Sequence, residues 1–215
     1  MNKREATVCV ATLAFFCLAL LFFYKCNIFY QKIFRLDEKQ VDSILGIHSN
    51  IKNIVLKCQK IIDCDLKSGD ILMRRYITDR TRVFDLYLHP YFTHTAFYIG
   101  DDKIVEAIGT EDNPKDEIQI ATLSRSDWLD RDIERLIVIK PDYKSKIDGL
   151  EHDKLSHVRS SLIQIANDDD YRFGVYGEKR TTCAEMIYRQ VFDDKSQNKT
   201  IITPDYLFNK LLIDP

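Results

Sequence analysis

The sequence predicts an α+β domain preceded by one N-terminal transmembrane helix, and three observations predict it. Residues 6–24, ATVCVATLAFFCLALLFFY, carry no charge. Short β-rich segments at residues 71–73, 93–99, 104–108 and 135–140 are punctuated by turn residues. Amphipathic stretches, with apolar residues three and four apart, lie before and after those segments. A chain of 215 residues suits one domain with a core plus an appendage and is too short for two large domains.

The apolar run comes first. At 1.5 Å per residue it reaches roughly 28 Å, close to the ~30 Å hydrocarbon thickness of a bilayer. Lys3 and Arg4 before it would also suit a cleaved signal peptide, but Phe22, Phe23, Tyr24 and Lys25 follow where a small-residue cleavage site would stand. Nor do small residues of the lipoprotein kind precede Cys17 or Cys26. Residues 1–30 are therefore read as a tail and an uncleaved single-pass anchor, with the lipid bilayer as partner of residues 6–24. Lys3 and Arg4 on one side, against Lys25, Lys32 and Arg35 on the other, leave the orientation open.

Residues 36–62 read as one helix, because Val41, Ile44, Leu45, His48, Ile51, Val55, Cys58 and Ile62 fall at three- and four-residue spacings. The segment 31–62 then becomes a juxtamembrane amphipathic helix, its stripe favouring packing on the domain over a free stalk, and 63–215 the domain itself. Leu66-Lys67-Ser68-Gly69-Asp70 turns into a short strand, Ile71-Leu72-Met73. Thr93–Ile99 and Ile104–Ile108 form a hairpin about Gly100-Asp101-Asp102. Residues 110–117 read as a polar loop, and Leu123–Asp132 as a short helix or turn around Trp128. A strand over Arg135–Lys140 ends at Pro141, and Leu150–Asn167 reads as a helix stopped by Asp168-Asp169-Asp170. Past the polar, glycine-containing YRFGVYGEKR, a helix opens at Cys183. A last one follows Thr203-Pro204-Asp205, with Thr203 as cap and Pro204 at the first helical position.

Charge and cysteine content exclude several classes. The 31 basic and 33 acidic residues nearly cancel, and no basic stripe with interleaved aromatics argues for nucleic acid as a partner. Of six cysteines, Cys9 and Cys17 lie in the apolar run and Cys26 just after it. Cys58, Cys64 and Cys183 form no C-x-x-C pair, so neither a zinc site nor a disulfide framework is expected, and a single Cys58–Cys64 bridge is disfavoured. The sequon Asn198-Lys199-Thr200 matters only on a lumenal face.

Three residues could carry chemistry. Thr182 can cap the helix that Cys183 opens, with Glu185 completing a capping box. A buried small hydrophobe is the ordinary role of a free cysteine. A helix start, however, stabilises a thiolate and can bring its pKa from ~8.5 to between ~3.5 and ~7.5. On the strand, His94, Ala96 and Tyr98 point one way and Thr95, Phe97 and Ile99 the other; the second set reads as a core face, so His94 falls on the more polar face. If Tyr98 pairs with Ile104, Glu106 becomes the same-face diagonal neighbour of His94 and could orient its ring; a one-residue slip would remove it. His48, His89, His152 and His157 read as structural or solvated. Tyr98, Tyr171 and Thr182 are possible walls of a site.

GDILMR at 69–74, FTHTAFYIG at 92–100, IVEA at 104–107 and TCAEMIY at 182–188 come in the order seen in YiiX-like proteins, and TPDYL at 203–207 is similar to a further element of that family. The chain thus resembles, over roughly residues 65–212, the circularly permuted branch of the NlpC-type papain-like superfamily. Lecithin–retinol-acyltransferase-like and poxviral proteins are its wider relatives. The resemblance implies a permuted papain-like domain with a small antiparallel sheet packed on helices, which accounts for the histidine preceding the cysteine. It implies Cys183 as nucleophile, His94 as base and Glu106 as the third polar residue. Tyr171-Arg172-Phe173 departs from the family's Tyr-Asp-Phe, and Ala184 replaces the frequent serine, which bears on substrate contacts. The expected activity is a thiol hydrolase or acyltransferase acting through an acyl-thioester on an acyl lipid, a lipidated protein or a peptide, with no cofactor. The rival is a non-catalytic membrane-tethered binding module that keeps the cleft.

Overall fold

The computed structural model describes residues 34–49, 55–58, 60–76, 90–108, 117–129, 133–147, 150–174, 179–193 and 201–213. All belong to one unit, Phe34–Pro215. The apolar run 6–24, the loop 110–116 and the sequon lie outside them. Among the described residues no helix is long and apolar enough to cross a membrane.

The architecture is α+β. Helix α1 (Glu38–Ser49) leads to β1 (Val55–Lys57), β2 (Ile71–Tyr76), β3 (His94–Gly100), β4 (Lys103–Ile108), β5 (Glu117–Thr122) and β6 (Ile133–Ile139). These six strands form one antiparallel sheet in the order β1-β6-β2-β3-β4-β5. A hairpin, β7 (Lys144–Ile147) with β8 (Leu150–Asp153), precedes α2 (Leu155–Ala166). Two short paired strands, β9 (Arg172–Phe173) and β10 (Arg180–Thr181), then lead to α3 (Cys183–Val191) and α4 (Pro204–Leu212).

Both faces of the sheet are covered. Ile71, Met73, Phe97, Val105 and Ile137 pack against α1, α2, α3 and α4. On the other face Leu72, Ala96, Ile104 and Val138 meet Ile61, Leu123 and Trp128, which come from short 3-10 turns at Ile61–Asp63, Leu123–Arg125 and Asp127–Leu129. The runs ILM and LIVI are continuous rather than alternating because both of their faces are buried. The face of His94, expected to be the more polar one, is therefore a second core.

The expected single helix over 36–62 is corrected. α1 ends at Ser49, and Val55–Lys57 is an edge strand paired with β6 through Val55↔Ile139 and Lys57↔Ile137. Val41, Ile44, Leu45 and Val55 lie in the helix-side core, so the domain includes this segment rather than starting at residue 63. Helical spacing over 38–48 is real; continuing it through a strand that buries the same Val55 was the error. Cys58 and Cys64 are joined as a disulfide, against expectation, with Cα atoms 5.8 Å apart across the turn that carries Ile61. The helix expected from Leu150 starts only at Leu155, after β8. The strands β5, β7, β8, β9 and β10 were not anticipated.

Two turns place the hairpin that matters. Gly69 has φ +102° and lies so close to Leu155 and Tyr143 that a Cβ would stand 2.7 and 2.9 Å from them, which explains the glycine of GDI. Its N–H donates to Tyr98 O at 2.8 Å, and Tyr98 N–H donates to Asp70 O at 2.8 Å, stapling this turn to the far end of β3. At the other turn, Gly100, Asp101 and Asp102 all have positive φ, and Tyr98 pairs with Ile104 as expected.

Candidate active site

His94 opens β3, so its ring lies at the end of the sheet. The Tyr98↔Ile104 register sets Glu106 one step across and diagonal to it, and His94 Nε2 lies 3.0 Å from Glu106 Oε2. The loop that delivers His94 is fastened from α4. Thr203 caps that helix by accepting the Tyr206 N–H at 3.2 Å, and the buried Asp205 carboxylate accepts the N–H groups of Leu36, Tyr91 and Phe92 at 2.9, 2.7 and 2.9 Å.

Cys183 is the first residue of α3. Thr182 is its N-cap, accepting the Glu185 N–H at 3.1 Å and donating to Ile202 O at 3.3 Å. The expected capping box is only half formed, because Glu185 turns its carboxylate to Arg189, 2.7 Å away, one helical turn on. Met186 and Ile187 are fully buried and anchor the helix; each is worth about 1.5–3 kcal/mol. The start of α3 is thereby held against β3. There the Cys183 thiol faces His94, near enough for each to shift the other's titration. Cys183 is a free thiol, 7% exposed.

The electrostatics of the three residues reinforce one another. Burial alone would push the Cys183 thiol up, but the facing His94 charge, with Thr95 beside it, outweighs burial and holds it below the ordinary thiol value. Burial would push His94 down; the facing thiolate, and then the hydrogen bond to Glu106, carry it above the ordinary imidazole value instead. Burial likewise opposes ionised Glu106, and hydrogen bonds from His94 and Trp128 bring it below the ordinary carboxylate range. An imidazolium between a thiolate and a carboxylate is the state these shifts favour. Among the described residues no group of three His, Cys, Asp or Glu side chains could hold a metal ion.

The other residues singled out by sequence do not join this group. The Tyr98 hydroxyl turns back to accept the Asp102 N–H at 3.2 Å, bracing the hairpin. Tyr171 packs, half-buried, on the helix-side core. Thr182 serves as the cap of α3.

Three residues near Glu106 escaped sequence reasoning. Trp128 Nε1 donates to Glu106 Oε2 at 3.0 Å. Gln119, directly opposite Glu106 in the β4–β5 register, donates to Oε1 at 3.3 Å. The buried Arg74, opposite His94 in the β2–β3 register, lays its guanidinium 4.6 Å from the centre of the Trp128 ring. A buried tryptophan needs an acceptor for its one N–H. Glu106, a carboxylate inside the apolar IVEA, needs donors; that mutual need was the available signal. Comparison with protein-family models, curated proteins and solved structures finds no match to this chain.

Proposed function

We propose that this chain is a membrane-anchored thiol hydrolase or acyltransferase of the permuted papain-like kind, akin to the YiiX-like proteins it resembles. The observation that carries the reading is the juxtaposition of Cys183, at a helix N-terminus, with a His94 whose Nε2 lies 3.0 Å from the buried Glu106 carboxylate.

The Cys183 thiolate attacks an amide or ester carbonyl and forms a C–S bond. The oxyanion that develops takes hydrogen bonds from N–H groups at the start of α3, that of Cys183 included. The His94 imidazolium gives its proton to the leaving amine or alkoxide as the C–N or C–O bond breaks, leaving an acyl-thioester. His94, now neutral, takes a proton from water or an acceptor alcohol or amine. That nucleophile displaces sulfur and regenerates the thiolate. Glu106 keeps the ring aimed and its charge balanced throughout. The steps call on no metal or organic cofactor. Residues 6–24 would hold the domain at a bilayer, which makes acyl lipids and lipidated proteins, with peptides beside them, the substrate classes of this proposal.

The test is an acyl trap on the full chain in detergent with a short-chain p-nitrophenyl ester as probe. After acid quench, peptide mass spectrometry should find the acyl group on Cys183, released by neutral hydroxylamine. His94→Ala should slow its formation about a hundredfold or more, the usual worth of a general base. A Cys183 that takes no acyl group, or takes it equally fast without His94, overturns the enzyme and leaves the membrane-tethered binding module.

A further inference from the structure

We propose that Trp128 is a positioning residue of this site: its indole N–H holds the Glu106 carboxylate in place, and through Glu106 it sets how readily His94 and Cys183 exchange their proton. The proposal rests on the reading given above and adds a residue that acts on the reacting pair from outside it.

The geometry gives Trp128 no other polar role. Its side chain is 1% exposed, and the indole N–H, which can only donate, goes to Glu106 Oε2. That same oxygen meets His94 Nε2, also at 3.0 Å, so two donors converge on it. Gln119 holds the second oxygen, which leaves the carboxylate little freedom to rotate away from the imidazole. The indole also flanks the histidine, ring centroids 5.6 Å apart and planes inclined at 38°. On Trp128, in turn, stacks Arg74, whose guanidinium also lies 4.7 Å from the Tyr76 ring.

The turn that carries Trp128 is built for a fixed position. Ser126 Oγ donates to Leu123 O at 2.7 Å and accepts the Trp128 N–H at 3.3 Å. The Asp102 carboxylate of the β3–β4 hairpin accepts from Ser124 N–H and Oγ, tying this turn to the strands that carry His94 and Glu106. Ile61, on the disulfide-closed turn, belongs to the same core cluster.

The charged and titratable groups around Glu106 are His94 on β3 and Arg74 on β2, with Cys183 of α3 beyond the imidazole. Without the indole N–H, Glu106 stays buried but loses a donor, and its ionised form becomes costlier. A carboxylate that is neutral or turned aside no longer supports the imidazolium, and the thiolate opposite is lost with it.

The experiment measures the rate at which iodoacetamide alkylates Cys183 between pH 4 and 9, by peptide mass spectrometry on the full chain in detergent. The proteins are wild type, Trp128→Phe, Glu106→Gln and the double variant, with His94→Ala as reference. Trp128→Phe should move the midpoint up by about half to one pH unit, so that labelling below the wild-type midpoint, where the rate falls with pH, is about three- to tenfold slower, part of what a hydrogen bond to a charged group is worth. In the Glu106→Gln background the same substitution should change nothing further. Trp128 is the only tryptophan of the chain, so a tryptophan auxotroph fed benzothienylalanine replaces it alone, keeping the ring and removing the N–H. That protein should reproduce the shift even if Trp128→Phe fails to fold. An unshifted profile with benzothienylalanine, or an equal shift with and without Glu106, overturns the positioning role while the His94 dependence of the wild type leaves the enzyme reading standing. Wild-type labelling without His94 dependence removes both.

Discussion

At the scale of single residues, the site depends on side chains that never reach it. Asp205 lies in the first turn of α4, yet its carboxylate orders the chain just ahead of His94 by accepting the Tyr91 and Phe92 N–H groups, and Leu36 besides. Burial pushes its pKa up to about 6 although those three donors, and the Arg75 charge after them, pull it down, so the carboxylate sits where charge is costly and the N–H groups do most to hold it. Asp205→Ala strands all three donors in the interior. With about 1–3 kcal/mol for each unsatisfied group, the loss should be about 3 kcal/mol or more, read as a lowered urea midpoint with unchanged slope. Asp205→Asn, which keeps one carbonyl oxygen, should lose less; a neutral effect of Asp205→Ala would deny it this role. The placement of Cys183 at a helix start and of Glu106 diagonal to His94 was legible in the sequence because each follows a local rule, a cap and a hairpin register. Trp128 was not. Its partner is 22 positions away, and only the closed fold brings the two together.

At the scale of elements, caps and turn residues were read correctly, and periodicity failed where one apolar pattern ran across two elements. α3 and α4 begin where Thr182 and Thr203 predict, since a cap is read within four residues. The hairpin register also followed, because Gly100-Asp101-Asp102 can adopt the positive φ values that the turn needs. The stretch 36–62 misled, since an apolar residue in a short edge strand looks like the next step of a helical stripe. The consequence is testable. Val41, Ile44, Leu45 and Val55 are core residues, and at about 1.5–3 kcal/mol each their loss approaches the whole stability of a domain, about 5–15 kcal/mol. A fragment of residues 34–215 should unfold cooperatively in urea, whereas one of 63–215 should show no cooperative transition and bind a hydrophobic dye. Equal folding of both fragments would return this segment to the role of an external stalk.

At the scale of the whole molecule, the sheet divides two tasks between its faces. One face carries the helices and with them the start of α3; the other holds Glu106 and Trp128 away from water. His94, at the end of β3, joins the two. Composition and resemblance reached the fold class and this trio. They did not reach the second core, which three short 3-10 turns assemble from residues far apart in sequence. The account predicts that this arrangement holds Cys183 as a thiolate near neutral pH. Burial alone would do the opposite, so the pH dependence of the thiol separates the two effects. Alkylation of Cys183 by iodoacetamide, followed against pH in wild type and His94→Ala, tests this most directly. The wild type should label at pH 6 to 7 and slow only as pH falls below the lowered thiol pKa. His94→Ala should label only at or above the ordinary thiol value of ~8.5. Profiles that coincide near that value would contradict the account.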